Sequence, residues 1–137
     1  MKKMRSKFLP VLMGGVILLV FSCATVPTGP LAPGELRLLR MEAPREGEIR
    51  LGIAFTVKIQ FEADGRPEVR RACFFWSGDG PYCTKAIKTS YGSPKTIYVD
   101  LVPGSSGQYF LEGYVQYVQD GKSKMTNVVG THIFIIQ

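Results

Sequence analysis

Histidine and cysteine supply most metal ligands and many catalytic bases and nucleophiles, and both are scarce here: the 137 residues include one His and three Cys. With His132 as the only imidazole, zinc sites of the usual Cys/His kind lack ligands, and the Cys-x-x-Cys spacing of redox dithiols is absent. No Gly-rich phosphate loop or calcium-loop pattern occurs either, so neither a metal nor a cofactor is expected. A basic tract that could follow a phosphate backbone is missing too. The one dense pair, Arg70-Arg71, would point to opposite faces of a strand, so nucleic acid is not expected as a partner. Apolar runs are short: the run at residues 8–21 contains Pro10 and Gly14-Gly15 and falls below the roughly 20 residues that a bilayer crossing takes.

What is present is an ordinary globular composition, 45% hydrophobic and 20% charged. Nine prolines and fifteen glycines provide many turns, and the β-branched and aromatic residues between them favour strands, so a single small all-β domain is expected.

Before that domain comes an address. A basic head (Lys2, Lys3, Arg5, Lys7) precedes the apolar run, which ends at Val20-Phe21-Ser22-Cys23. This ending resembles the lipobox of bacterial lipoproteins: an apolar residue, a tolerant position, a small residue, then cysteine. The resemblance implies a signal peptide over residues 1–22, cut just before Cys23, whose thiol and freed amine carry acyl chains. Two or more chains anchor a protein stably where one does not. Residues 23–33, rich in Pro, Gly and Thr, then read as a flexible linker, and residues 34–137 as the folded domain. If the host has two membranes, Ala24 stands where the family's inner-membrane retention signal would place an aspartate, which favours the periplasmic face of the outer membrane. Four of the 17 basic residues lie in the head and none of the 11 acidic ones does, so the precursor's net charge of +6 falls to +2 once it is removed.

Setting Cys23 aside leaves Cys73 and Cys83, an even number in an oxidising compartment. Residues 69–76 read as a strand, Ser77-Gly78-Asp79 as a tight turn and residues 80–84 as the return, which sets Cys73 opposite Cys83 at a separation a disulfide can span.

The strand pattern is clearest over residues 51–62, where Leu51, Ile53, Phe55, Val57, Ile59 and Phe61 alternate with small or polar residues; all six are expected in the core. Residues 35–42 form a weaker strand, and residues 96–102 place Ile97, Val99 and Leu101 on one face. The segment Gly107-x-Tyr109-x-Leu111 resembles the tyrosine corner of immunoglobulin-like sandwiches, with Leu111 where antibody domains carry their second core cysteine. Trp76 would then be the core Trp of the third strand, and Phe55 or Val57 the apolar substitute for the first cysteine. The resemblance implies an immunoglobulin-like β-sandwich of about seven antiparallel strands. In the last hairpin, residues 109–118 turn at Asp120-Gly121 and return through residues 125–137. Pairing across a two-residue turn would face Val129 and Ile133 outward, so a bulge is expected at Gly130. Ile133-Phe134-Ile135-Ile136 is apolar on both faces and is expected to be covered on both or to pair with something else.

Catalysis is not expected. His132 lies in the apolar terminal strand, where a lone His is usually structural, and Glu46 and Glu48 lack the burial that would divide acid and base roles between them. Two other functions remain open. As a binding module, the domain would use loop residues at the ends of the sandwich: Arg66, Asp79, Tyr91, Lys122 and Lys124 are the candidate ligand contacts, suited to an envelope protein, a peptide or a glycan. As a structural subunit, it would dock its edge or its Ile-rich terminal strand into a larger envelope assembly. A periplasmic hydrolase is the third alternative and would need a concave pocket with clustered titratable groups.

Overall fold

The computed structural model describes residues 26–137, and Cys23 with its lipobox lies outside them. Period-two alternation puts Phe55, Val57, Ile59 and Phe61 on the buried face of β3 (Phe55–Ala63), with Thr56 and Lys58 turned to solvent. Around it run β1 (Leu36–Glu42), β2 (Ile49–Arg50), β4 (Val69–Trp76), β5 (Asp79–Thr84), β6 (Ile87–Ser90), β7 (Thr96–Leu101), β8 (Gly107–Gln119), β9 (Lys122–Met125) and β10 (Val129–Ile136). All regular structure among the described residues is strand.

One sheet has the order β1-β3-β7-β6 and the other β2-β10-β8-β4-β5, with β9 pairing β8 beyond that path. Among the described residues only β2 and β10 pair in parallel. Assigning β1, β3, β7 and β6 as A, B, E and D, and β4, β8 and β10 as C, F and G, reproduces the immunoglobulin strand order. The fold is an immunoglobulin-like β-sandwich. β5 and β6 are separated by two residues yet lie at the edges of different sheets, so the chain crosses between sheets there and closes one side of the sandwich.

The core is the interleaving of two inner faces: Leu36, Leu38, Val57, Ile59, Ile97 and Val99 from the first sheet meet Phe74, Leu111, Val115, Ile133 and Ile135 from the second. Leu111 is fully buried where the resemblance puts a cysteine, and the Tyr109 hydroxyl bonds back to its corner. Its partner is the Ser105 side chain instead of the backbone. Trp76 closes the core from its open end, edge-on to Phe55 at 6.3 Å and to Tyr109 at 5.9 Å.

Several expectations are corrected. Among the described residues ten strands form instead of about seven, because β2, β6 and β9 are too short to show a period. Leu51 and Ile53 are 39% and 58% exposed: the chain turns at residues 51–54, held by Leu51 N–H to Ile136 O and Ile53 N–H to Arg50 O, and β3 begins only at Phe55. The one-residue shift in the last hairpin exists, but not at Gly130. β8 and β9 pair as Gln116↔Met125, whereas β8 and β10 pair as Gly113↔Val129, so the shift falls in Thr126-Asn127-Val128. Val129 and Ile133 both point inward as a result. Of the two alternatives for the terminal strand, the second holds: Phe134 and Ile136 remain partly exposed on the outer face, and β10 pairs β8 and, at its end, β2.

Asn127 is a structural residue that alternation does not reveal. Its Oδ1 accepts from Leu38 N–H at 2.9 Å and its Nδ2 donates to Leu38 O at 2.9 Å, so its amide acts as one rung of a strand on the free edge of β1. It thereby ties the first sheet to the second across 89 residues of chain.

Candidate functional site

Strand direction sorts the sandwich into two ends. At one end lie the entry of the chain, residues 64–68, residues 91–95 and the β8–β9 turn; Gln119 Nε2 donates to Pro33 O, and Gly34 N–H to Asp64 Oδ2. Part of the segment expected as a free linker is fixed here. The buried Arg37 donates to Gly29 O at 2.8 Å and pairs with Glu35 and Glu62, so the chain is held against the domain from Gly29 onward.

Four of the five candidate contacts fall at this end, and two of them meet. The Arg66 guanidinium lies 5.3 Å from the centre of the Tyr91 ring, which itself stands edge-on to Phe61, and the Tyr91 hydroxyl donates to Pro67 O. Burial pushes the Tyr91 phenol above its ordinary value, and the nearby Arg66 charge pulls the other way. This geometry spends both side chains on the local loop. Lys122 and Lys124 stand exposed on β9, the outer arm of the hairpin.

Asp79 is at the opposite end, and there it has company. The turn Ser77-Gly78 takes positive φ at both positions (50° and 90°), as a tight two-residue hairpin requires. The next two ladder pairs are Trp76↔Asp79 and Phe74↔Tyr82. Opposite residues share a face, so Trp76, Asp79 and Tyr82 all lie on the side of the fully buried Phe74. The β7–β8 corner faces them with Leu101, Val102, Ser105 and Tyr109, and together they line an open cleft of about 530 Å³. Tyr82 is 56% exposed, and its hydroxyl donates to Asp79 Oδ2 at 2.8 Å. That hydrogen bond and the Asp79 charge raise the Tyr82 phenol above its ordinary value. The Trp76 and Tyr109 rings meet at 87°, giving the cleft two perpendicular aromatic walls.

Two other concavities are of similar size. One, on the outer face of the second sheet, is lined by Glu46, Gln108, Phe110, His132 and Phe134, with the exposed His132 ring 4.8 Å from Phe110. The other lies along the β6–β7 edge between Lys88, Tyr98 and Asp100. Among the described residues, no three His, Cys, Asp or Glu side chains come together as a metal site.

Cys73 and Cys83 are directly opposed and disulfide-bonded, with Cα atoms 4.0 Å apart, as their spacing predicts. Trp76 and Tyr109 were legible as fold residues and Asp79 as a loop residue, but nothing in the alternation joins them to Tyr82.

No protein-family model matches the chain, and no curated protein does. Among solved structures it is similar to a cohesin module from a family 33 glycoside hydrolase of Clostridium perfringens ATCC13124. The identity is 15%, the TM-score 0.35, and the match covers 74% of this chain and 99% of that one. The fold assignment rests on strand order and not on this likeness.

Proposed function

We propose that the chain is a lipid-anchored lipoprotein of the cell envelope whose sandwich is a non-catalytic interaction module, tethered at one end and binding at the other. In a host with two membranes it would sit on the periplasmic face of the outer membrane. The lipobox supports the anchor, and the observation that carries the rest is the opposition of the two ends. With Gly29 held by Arg37, a lipidated Cys23 is six residues from a fixed point of the domain, a separation of at most about 20 Å. At ~3.4 Å per strand residue, Tyr109 in the cleft lies roughly 34 Å along β8 from Gln119 beside the tether. The cleft thus faces away from the membrane, where a partner can reach it.

A second reading, the structural subunit, draws on a different surface. The outer face of the second sheet carries Phe75 and Tyr114 with ring centres 6.2 Å apart, next to Phe110 and Phe134. The terminal strand itself is committed, pairing β8 on one side and β2 at its end.

The test is crosslinking in intact cells followed by recovery of the protein. The wild type should fractionate with membranes and capture an envelope partner. Cys23→Ala should remain as precursor or become soluble and lose that partner, and Tyr82→Ala should stay anchored while capturing less. A Cys23→Ala protein that still fractionates as a processed membrane protein would refute the anchor. Capture lost on substituting Phe75 or Tyr114 but indifferent to Tyr82 would favour the subunit.

A further inference from the structure

We infer that the cleft at the far end of the sandwich binds a cationic group, an ammonium or a guanidinium, over the Trp76 and Tyr109 rings and against the Asp79 carboxylate. The inference rests on the reading of the sandwich as a binding module and names the chemistry of its ligand.

Three observations converge on it. Two partly buried aromatic walls stand at 87° with ring centres 5.9 Å apart, and Tyr82, which is exposed, adds a third ring on the hairpin's return arm. Aromatic faces carry negative quadrupole charge and attract cations placed over them, Trp most strongly. Among the described residues the lining contains one carboxylate and no Lys, Arg or His, so no described side chain of the lining opposes its charge. Among the described residues Asp79 has a protein hydrogen bond to Oδ2 alone, which leaves Oδ1 free to accept from a ligand.

The hydroxyl groups argue against a sugar as the occupant. Glycan sites combine aromatic platforms with several free donors and acceptors, whereas here the Tyr82 hydroxyl is spent on Asp79 and the Tyr109 hydroxyl on Ser105. The free Asp79 Oδ1 carries the lining's negative charge beside these rings, which suits a positive charge. Val102, 62% exposed at the rim, would cover the ligand's apolar stem.

Trp76 is the only Trp in the chain, so intrinsic fluorescence reports on this cleft. The full chain, purified in a polyoxyethylene detergent, is titrated with acetyl-arginine amide, acetyl-lysine amide and tetramethylammonium chloride at constant ionic strength, with sodium chloride as control and cellobiose as the sugar probe. At least one cation should change the emission saturably in the millimolar range, and sodium should not. Stronger response to the amino-acid amides would identify a protein side chain as the source, and stronger response to tetramethylammonium a free quaternary amine. Asp79→Asn should raise the half-saturating concentration about tenfold, the loss of one charge-assisted contact, with an unchanged melting temperature. Tyr82→Ala should weaken binding while keeping the reporter. Absence of saturation by every cation, saturation by cellobiose alone, or Asp79→Asn binding equal to wild type would overturn the assignment. If the crosslinked partner is still lost in Tyr82→Ala cells, only the ligand chemistry falls; if Tyr82→Ala is silent there too, the binding reading falls with it.

Discussion

Replacing Asn127 should cost more stability than its half-exposed position on a connecting segment suggests. Its amide bonds both Leu38 N–H and Leu38 O on the edge of β1, each at 2.9 Å, and Leu38 is fully buried. Asn127→Leu keeps the volume, removes both hydrogen bonds and strands both backbone groups. Each unsatisfied buried group costs about 1–3 kcal/mol, so the expected loss is about 2–4 kcal/mol after partial rescue by water. For a domain of roughly 110 residues, at about 4 °C per kcal/mol, the melting temperature should drop by about 10–15 °C. Thermal unfolding followed by circular dichroism measures this directly. Asn127→Asp gives a sharper test. At neutral pH its two oxygens satisfy Leu38 N–H but oppose Leu38 O, so the variant should be nearly as unstable as Asn127→Leu. Protonation restores a donor, which raises the folded-state pKa of that Asp above its unfolded value; the variant should therefore regain stability relative to wild type as pH falls from 7 towards 4. A melting temperature of Asn127→Leu within 2 °C of wild type, or an Asn127→Asp deficit that does not narrow on acidification, would refute the bridge.

Reducing the Cys73–Cys83 disulfide should lower stability by about 2–3 kcal/mol, the loop-closure value for a separation of 10 residues, read as a melting shift with and without reductant; an unchanged value would mean the hairpin holds without it. Gly113→Ala puts a methyl 2.9 Å from Met41 Cε and from the Phe74 ring in the core, so it should destabilise by about 1–3 kcal/mol, and Phe74→Leu in the same chain should recover part of that loss. Because burial raises the folded-state pKa of Tyr91, its contribution to stability is complete below the unfolded value near 10 and is lost as pH rises beyond it. Melting temperatures should therefore fall above pH 10, and Tyr91→Phe should flatten that limb.

The parts of the fold that were readable are those where one residue pattern controls one strand. Phe55, Val57, Ile59 and Phe61 alternate without interruption, and the hairpin over residues 69–84 has one dominant register because its cysteines must meet. The alternation misled at Leu51 and Ile53, where the same period continues into a turn: backbone bonds to Ile136 and Pro103 hold the chain at the rim, and no sequence period encodes contacts that distant. The last hairpin shows the complementary case. Facing alone demands a one-residue shift between Asp120 and Ile133, but not where, and the choice of Thr126-Asn127-Val128 follows from the need for Asn127 to reach Leu38 and for the Thr126 Oγ1 to accept from Val115 N–H.

The cleft was hidden for a related reason. Asp79 and Tyr82 are three apart, and on a regular strand that spacing puts them on opposite faces. The register shift between Phe74 and Trp76 places an extra residue on β5, at Gly80-Pro81, so that Asp79 and Tyr82 return to one face beside Trp76. A bulge is therefore what converts a loop acid and a strand tyrosine into one site, as bulges elsewhere re-aim single side chains. The disulfide lies just beyond it, at Cys73↔Cys83, on the face opposite the Phe74↔Tyr82 pair. A slip of one residue in this hairpin would turn Tyr82 outward, and the covalent bond forbids that slip. On this argument the cysteine pair does more than hold a small domain together. It fixes the register on which the aromatic walls and the carboxylate depend, so the stability of the hairpin and the integrity of the cleft are one property measured in two ways.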